Sequence, residues 1–341
     1  MRKGITLAGN ILIDHNREVD RYPEQSNLVT VNKIYNTVGG AVSNSGISLA
    51  HIDPELPIKF IGLVGDDADG KFILNEFSKY PNINTENVRD SYLPTSFTDV
   101  IADMTNNTRT FFSYRGASSE LAPEHFEFDK LDTEILHIGY ILLLDTLDEE
   151  DSEFGTKMAR VLNSAQEHGV KTSIDVVTED SDRFKKIVPY AIKYTDFCII
   201  NEEEAGRTVG INARKSNGDL NLKNCKKICE KLFEIGVREW VVMHSREGGI
   251  GLDSDGTFVM KASLEIPPEQ IKGTTGAGDA FLAGVLYGAY SKYDIEKAVK
   301  LGIASSNASI MDEGPTAGVK SEKDLWDFYN SMSKENWEGF D

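Results

Sequence analysis

The chain has 341 residues, of which 40% are hydrophobic and 27% charged, and its formal net charge at pH 7 is −19. This length allows one large α/β domain or two small ones, and the composition is that of an ordinary globular protein. The acidic charge is spread through the chain, which argues against binding to a nucleic-acid backbone or an anionic membrane surface. The longest apolar runs, such as 138–144, are far shorter than the roughly 18 residues of a membrane span.

The N-terminal stretch MRKGITLAGNILID predicts a first β-strand rather than a signal peptide, because Asn10 and Asp14 interrupt its apolar run. Further apolar runs alternate with amphipathic stretches along the chain. The predicted strands lie at 5–13, 58–64, 135–138, 171–176, 197–200 and 239–243. The predicted helices lie at 41–51, 71–80, 153–168, 183–191 and 223–235. This alternation predicts an α/β fold with a mostly parallel central sheet and helices on both faces.

Two regions interrupt the alternation. Residues 28–38 and 96–113 carry alternating or β-branched residues without an intervening helix, and they predict antiparallel ribbons in a small projecting sheet. A Ser-Asp-Gly turn within 251–259 predicts a separate hairpin. Because no repeat, low-complexity segment or linker is present, we expect one domain, 1–341, with a β-lid from about 15–38 and 92–115.

The chain has three cysteines, Cys198, Cys225 and Cys229. Cys225 and Cys229 lie one helical turn apart, but no second pair completes a zinc set, so they are interpreted as core residues. A sparse, odd number of cysteines is typical of a reducing compartment, and we therefore expect a cytoplasmic protein.

The segment KGTTGAGDAF, residues 272–281, is a glycine-rich turn before a predicted helix at 280–290. It matches neither the dinucleotide-binding fingerprint nor the P-loop. The N–H groups of Ala277, Gly278 and Asp279 would point off a helix N-terminus, where an anion can bind without a basic side chain. Asp279 is then either a first-turn acid favoured by the helix dipole or a group that does chemistry beside the anion.

Four motifs resemble those of the ribokinase (PfkB-type) family of sugar kinases. TTGAGDAF followed by Gly284 resembles the family's C-terminal signature, and GGAVSN at 39–44 is similar to its G-G-x-x-x-N. NEEE at 201–204 resembles its N-x-x-E, and Asp14 falls where the family has a sugar-binding aspartate. Each motif alone is common, but all four occur in the family's order and spacing. The resemblance implies a ribokinase-like three-layer α/β fold with a β-sheet lid, and an ATP-dependent kinase.

The resemblance also implies roles for individual residues. Asp279 would accept the proton of the attacking sugar hydroxyl, with a pKa lowered by the helix N-terminus. The turn that receives the phosphoryl charge comprises Gly276, Ala277 and Gly278. The implied sugar-binding residues are Asp14, Gly39, Gly40, Asn44 and, on the lid, Arg115. Arg109 on the lid is interpreted as an ordinary solvated charge.

For ATP, the resemblance implies residues at strand ends and helices of the C-terminal half: Asn201, Glu204, Ser245, Gly248, Thr275 and Asn307. Glu204 would also hold water molecules around Mg²⁺. The alternative is that the acidic run 202–204 only favours a helix N-terminus. Family members that use K⁺ have an aspartate where this chain has Gly273, so activation by K⁺ is doubtful.

The motifs leave the substrate open. Ala41 replaces the lysine of the ribokinase-like G-G-K, and basic residues near Gly-Gly are missing apart from Lys33. We therefore expect a neutral ketose or pentose such as fructose or ribose. The alternatives are a nucleoside, 2-keto-3-deoxygluconate, or a non-catalytic sensor that binds a sugar or nucleotide.

One apolar lid face is expected to mediate a homodimer and comprises Val29, Val31, Ile34, Phe97, Val100 and Phe111.

Overall fold

The structure is a computed structural model that describes residues 2–106, 108–179 and 181–337. Its strands are β1 Ile5–Gly9, β2 Leu12–Val19, β3 Val31–Gly39, β4 Ile58–Gly65, β5 Ile83–Ser91, β6 Ser96–Asp103, β7 Thr108–Tyr114, β8 Ile135–Ile141, β9 Glu150–Asp151, β10 Gly155–Thr156, β11 Lys171–Val176, β12 Phe197–Asn201, β13 Trp240–Ser245, β14 Gly248–Asp253 and β15 Phe258–Ala262. Its α-helices are α1 Ala41–Ile52, α2 Ala68–Phe77, α3 Asp145–Asp148, α4 Lys157–Glu167, α5 Phe184–Ile192, α6 Glu202–Val209, α7 Leu222–Ile235, α8 Ala277–Tyr290, α9 Ile295–Ser309 and α10 Glu322–Ser331.

The central sheet has the strand order β15-β14-β13-β12-β11-β8-β1-β4-β5. Seven neighbouring strands of this sheet pair in parallel, in the order β13-β12-β11-β8-β1-β4-β5. Strands β14 and β15 continue the sheet in antiparallel pairing. The predicted α/β fold with a mostly parallel sheet is therefore confirmed. Because parallel strands all run the same way, the carboxyl ends of β1, β8, β11, β12 and β13 lie along one edge of the sheet. Loops and helix N-termini converge at this edge.

The hydrophobic core lies on both faces of this sheet. Successive residues of a parallel strand point to opposite faces, so a strand covered on both sides is apolar throughout. In β1, Leu7 belongs to the core layer that contains α1, α8 and α9, whereas Ala8 belongs to the layer that contains α4, α5 and α7. This arrangement is the predicted three-layer sandwich.

The predicted first strand, 5–13, is two strands. Gly9 adopts φ 130°, and the chain leaves the central sheet there before β2 begins. The Asn10 N–H donates to the Gly139 carbonyl at 3.0 Å, which fixes the exit next to β8. Asp14 therefore lies within β2 rather than just past a strand of the central sheet.

The small sheet has the order β3-β2-β6-β7. Each ribbon is antiparallel, and the two join through the parallel pair β2–β6. The register places Val100 and Phe111 on the face that carries Asp14, because both align with Asn16. Ile34 and Phe97 align with odd-numbered residues of β2 and lie on the opposite face. The expectation of one apolar lid face is therefore wrong, because adjacent positions of a strand alternate between faces.

None of the helices in the described ranges combines the length and the apolar character that a membrane-spanning helix requires. In the same part of the chain, no cluster of three or more His, Cys, Asp or Glu side chains is arranged to hold a metal ion. Cys198, Cys225 and Cys229 are buried free thiols, as expected for core residues.

Candidate active site

The glycine-rich turn before α8 forms a bed of backbone N–H groups. Gly276 adopts φ 82°, and a side chain there would approach the Pro315 Cβ to 2.4 Å, so this position requires glycine. The Ala277 N–H donates to the Thr274 carbonyl at 3.2 Å. Within the described residues, the N–H groups of Gly278 and Asp279 have no hydrogen-bond partner. Two of the three predicted anion donors are therefore free at the N-terminus of α8.

Asp279 is buried in the first turn of α8 and is held by side chains of other elements. Asn44 of α1 donates to Oδ2 at 2.9 Å, and the Tyr140 hydroxyl donates to Oδ1 at 2.6 Å. Ser45 lies farther away, with Oγ 3.4 Å from Oδ1. Burial raises the pKa of Asp279 to about 6, and the three donors oppose that rise. The lowered pKa expected from the helix N-terminus is thus wrong, because desolvation outweighs the dipole.

Asp14, Gly39, Gly40 and Asn44 come together beside Asp279. Burial raises the pKa of Asp14 to about 6, with His15 and Arg109 opposing the rise and Asp279 adding to it. A Cβ at Gly39 would lie 2.5 Å from Asp14 Oδ2, so glycine leaves room for this carboxylate.

Gly40 and Asn44 belong to the start of α1. Gly40 adopts φ 89° and would contact the Asn10 carbonyl if it carried a side chain. The Oδ1 atom of Asn44 is buried and has no hydrogen-bond partner among the described residues. A buried hydrogen-bond acceptor without a donor costs free energy. A bound molecule that donates a hydrogen bond to Asn44 Oδ1 would remove this cost.

A cavity of about 620 Å³ adjoins the glycine-rich turn on the other side. Four of the residues predicted to bind ATP line it, and these are Asn201, Ser245, Gly248 and Asn307. Gly278 lies at the junction with a second cavity of about 270 Å³, which also contacts Asp279. Thr275 lines neither cavity and instead accepts a hydrogen bond from Arg109.

Glu204 lines the smaller cavity together with Asp175 and Thr178. Its carboxylate accepts from the Asn201 N–H at 3.0 Å and from the Thr178 hydroxyl at 2.7 Å, while Asn201 caps α6 in return. Burial raises the pKa of Glu204 to about 7, and burial with the charge of Glu204 raises the pKa of Asp175 well above its ordinary range. Two desolvated carboxyl groups therefore line the smaller cavity.

Two lid arginines reach different places. Arg109 is exposed, as expected for a solvated lid charge, and it also donates to Thr275 Oγ1 at 3.0 Å, so it bridges the lid and the glycine-rich turn. Arg115 donates to the Leu142 carbonyl at 3.1 Å and pairs with Asp145. Arg183 donates to the same carbonyl at 2.9 Å. Arg115 thus lies beside the loop after β8, and its hydrogen bonds in the described part of the chain do not reach Asp14 or Asn44.

The chain matches the family described as pfkB family carbohydrate kinase over residues 2–322. It belongs to that family. This pfkB carbohydrate kinase is 26% identical over 319 residues to the 5-dehydro-2-deoxygluconokinase of Geobacillus thermodenitrificans, with 89% of this chain and 86% of the relative covered. It is 25% identical to the nucleoside kinase of Methanocaldococcus jannaschii, with 91% of each chain covered.

The fold is similar to that of Arabidopsis thaliana ribokinase complexed with ribose and ATP. The TM-score is 0.79 at 19% identity, and the superposition covers 96% of this kinase and 99% of that chain. The family consists of phosphotransferases with an alcohol group as acceptor, so this chain is a sugar kinase, and a nucleotide and a divalent metal are general to the family.

The motifs do not reveal three residues that contact the site of this kinase. Ser45 follows Asn44, and no motif distinguishes it, although adjacent positions at a helix start can face the same site. Asp175 and Tyr140 lie at the carboxyl ends of β11 and β8. Polar residues at the ends of parallel strands are the signal that would have found both.

Proposed function

We propose that this kinase transfers the terminal phosphoryl group of ATP to a sugar hydroxyl, with Asp279 as the base. The observation that carries this proposal is the position of the Asp279 carboxylate, which faces Asp14 and Asn44 and adjoins the free N–H groups of the turn. A base, two hydroxyl-binding groups and an anion site therefore occupy one place.

The chemistry follows from these positions. Phosphoryl transfer passes through a loose transition state, so positioning and charge neutralisation dominate catalysis. The free N–H groups of Gly278 and Asp279 stabilise the transferred charge, and Asp279 takes the hydroxyl proton. Asp14 and Asn44 hold the sugar, with Asn44 Oδ1 accepting a hydrogen bond from one of its hydroxyls. A pKa of about 6 makes Asp279 an adequate base at neutral pH, because it is mostly ionised and still basic.

The nucleotide is proposed to occupy the 620 Å³ cavity, which has polar and apolar walls. Phe281 and Ile303 offer apolar surface, whereas Ser245 and Asn307 offer hydrogen bonds. The phosphates then lie toward Gly278, where this cavity meets the smaller one.

The carboxyl groups of Glu204 and Asp175 fit a divalent cation. Hard cations such as Mg²⁺ prefer carboxylate oxygens and retain water molecules. Burial raises the pKa of both groups, so a dication nearby would favour their ionised forms. Mg²⁺ would neutralise phosphate charge beside these residues.

A K⁺ site of the family kind does not fit this chain. Gly273 supplies no carboxylate, and a Cβ at this position would lie 3.8 Å from Arg109 Nη2. The guanidinium group therefore places positive charge where the family aspartate would attract a cation.

Two substrate classes have support. A neutral ketose or pentose matches the hydroxyl-binding set of Asp14 and Asn44. A sugar with an acidic group is the second class. Arg115 and Arg183 are its candidate cations, because both donate to the Leu142 carbonyl in the loop after β8, where they also pair with Asp145 and Asp148. The relative named 5-dehydro-2-deoxygluconokinase carries the name of a sugar-acid kinase, which supports this second class.

ATP consumption against a panel separates the classes. The panel contains ribose, fructose, 2-keto-3-deoxygluconate, 5-dehydro-2-deoxygluconate and adenosine, with Asp279→Asn as the control. Turnover of an acid that Arg183→Gln weakens through KM supports the acidic class, whereas turnover of a neutral sugar that ignores this substitution supports the neutral one. ATP binding without turnover of any panel compound would favour the sensor.

A homodimer through the lid is also proposed. Ile34 and Phe112 lie on the lid face opposite Asp14 and are 66% and 53% exposed. Apolar side chains exposed on one sheet face favour burial against a second copy. Sedimentation at micromolar concentration should show a dimer that Ile34→Asp dissociates, whereas Tyr92→Asp, at an exposed site outside the strands of the small sheet, should not. A wild-type monomer would refute the dimer.

A further inference from the structure

Tyr140 makes the shortest hydrogen bond to Asp279. Its hydroxyl lies 2.6 Å from Oδ1, compared with 2.9 Å for Asn44 to Oδ2 and 3.4 Å for Ser45 to Oδ1. Burial and the neighbouring carboxyl groups of Asp279 and Asp175 raise the pKa of Tyr140. The phenol therefore keeps its proton and is the donor in this bond.

The end of β1 fixes the backbone of Tyr140. Asn10 Oδ1 accepts a hydrogen bond from the Tyr140 N–H at 2.7 Å, and Asn10 is only 5% exposed. The Tyr140 ring is thus anchored on the central sheet, whereas Asp279 belongs to α8, 139 residues away in sequence. A short bond between two separately anchored elements restricts rotation of the Asp279 carboxylate.

The hydrogen bonds also leave Asp279 one defined acceptor direction. An ionised carboxylate offers about four lone-pair directions. Tyr140 and Ser45 occupy those on Oδ1, and Asn44 occupies one of those on Oδ2. The direction that remains is on Oδ2, beside Asn44, where the sugar hydroxyl is proposed to bind.

We propose that Tyr140 is a positioning residue for Asp279: its hydroxyl turns Oδ2 toward the sugar hydroxyl and stabilises the ionised carboxylate. The inference rests on the proposed function, in which Asp279 is the base. It adds a residue from β8 that does not touch the substrate in its role but determines which oxygen of the base is available.

The surroundings of Asp279 determine the sign of the expected effect. Acidic groups from three other elements face the site, and these are Asp14 of β2, Asp175 of β11 and Glu204 of α6. Two basic residues lie nearby, Arg109 of β7 and His244 of β13, and burial lowers the pKa of His244 to about 4, so it is neutral. Burial opposes the ionisation of Asp279, and the hydrogen bond from Tyr140 favours it. Removal of the hydroxyl therefore raises the pKa of Asp279.

Tyr140→Phe keeps the ring and removes only the donor. The acid limb of kcat/KM, measured from pH 5 to 9 with ATP and the panel sugar that is turned over fastest, should move up by about one pH unit, the usual worth of a hydrogen bond to a charged group. At pH 6 kcat/KM should fall about fivefold, with a smaller loss at pH 8 and KM for ATP within about threefold. Tyr287→Phe is the matched control. Tyr287 lies on the same helix as Asp279, but its hydroxyl donates to Glu322 at 3.1 Å, so this substitution should leave the pH profile unchanged.

Thermal midpoints provide a readout without substrate. Ionisation of Asp279 lowers stability more in Tyr140→Phe than in the wild type. The difference between the two thermal midpoints should therefore grow from pH 5 to pH 7. In the Asp279→Asn background this pH-dependent part should vanish. Replacing Tyr140 by 3-fluorotyrosine, whose hydroxyl is more acidic and donates more strongly, should move the acid limb in the opposite direction, and it tests the bond if the Phe variant folds poorly.

The outcomes separate this inference from the proposed function. An inactive Asp279→Asn with an unshifted acid limb in Tyr140→Phe would overturn the role of Tyr140 alone. A loss that is equal at every pH would also overturn it, because packing explains such a loss. Retained turnover in Asp279→Asn would instead refute the proposed function.

Discussion

The N-termini of α6 and α8 both carry an acid in the first helical turn, but the two acids have different partners. Glu204 accepts a hydrogen bond from the Asn201 N–H, and Asn201 caps the same helix, so this carboxylate serves its own helix start. Within the described residues Asp279 makes no capping bond, and its oxygens are held by Asn44 of α1 and Tyr140 of β8.

The difference teaches that the partners of a first-turn acid, rather than its position, indicate its role. A helix dipole favours an acid at either place. Only a carboxylate that leaves its own backbone uncapped can leave the N–H groups free for an anion, as in the turn at Gly278 and Asp279. We therefore expect substitution of Asp279 to lower turnover far more than stability, and substitution of Glu204 to lower both by smaller amounts.

The largest effect is expected for Asp279→Asn. This change keeps the shape and the free N–H groups but removes the proton acceptor, so kcat should fall about 10²–10⁴-fold. ATP and sugar affinities should stay within a few-fold. The thermal midpoint should hardly fall, since the lost dipole interaction is worth about 0.3–1 kcal/mol and burial of the charge is relieved. Near-wild-type turnover with a lowered midpoint would make Asp279 a helix start like Glu204.

Glu204→Gln should have a smaller effect on turnover and a measurable effect on metal dependence. Gln can still accept from the Asn201 N–H, so the capping box survives with a loss of about 0.5–1 kcal/mol in the free energy of unfolding. The Mg²⁺ concentration for half-maximal activity should rise about 10-fold, because the proposed carboxylate is lost. Glu203→Gln on the exposed side of the same turn is the control. An unchanged Mg²⁺ requirement would limit Glu204 to capping.

The pH dependence should distinguish the buried base from surface acids. Because burial raises the pKa of Asp279 to about 6, kcat/KM should fall about tenfold per unit below pH 6 as the base is protonated. Burial raises the pKa of Asp279 in the folded protein above its value in the unfolded chain. The contribution of Asp279 to the free energy of unfolding is therefore fully present below about pH 4 and should be lost as the pH rises to about 6. Full activity maintained down to pH 5 would contradict a buried base.

Much of this site follows from local sequence. The glycines at 39, 40 and 276 are required by crowded or left-handed backbone, and such requirements recur as short motifs that mark Asp14, Asn44 and Asp279. The alternation of apolar runs likewise predicts most strands and the layer order. These features depend on residues that are close in sequence.

The remaining contacts depend on topology. Tyr140 reaches Asp279 across 139 residues of sequence, and Arg109 reaches Thr275 across 166. Strand order results from packing of the whole chain. A polar residue at the end of β8 can therefore mark Tyr140 as near the site, but no local pattern in HIGYILLLD or NNTRTFF identifies its partner or that of Arg109. For the same reason, the apolar pattern of the lid segments does not separate the two faces of the small sheet.

The smallest effect is expected from monovalent cations. The main chain around Gly273 is held by the N–H bonds of residues 272 and 273 to the Ile310 carbonyl, and no carboxylate replaces the family aspartate at position 273. Arg109 places a guanidinium group beside this turn and already supplies positive charge there. Activity with saturating Mg²⁺ should therefore differ by less than about threefold between potassium, sodium and a bulky organic cation. Gly273→Asp tests the reason directly, since a new carboxylate that introduces potassium activation would show that the side chain was the missing ligand. A steep potassium requirement in the wild type would instead show that backbone carbonyls near Gly314 suffice for the ion.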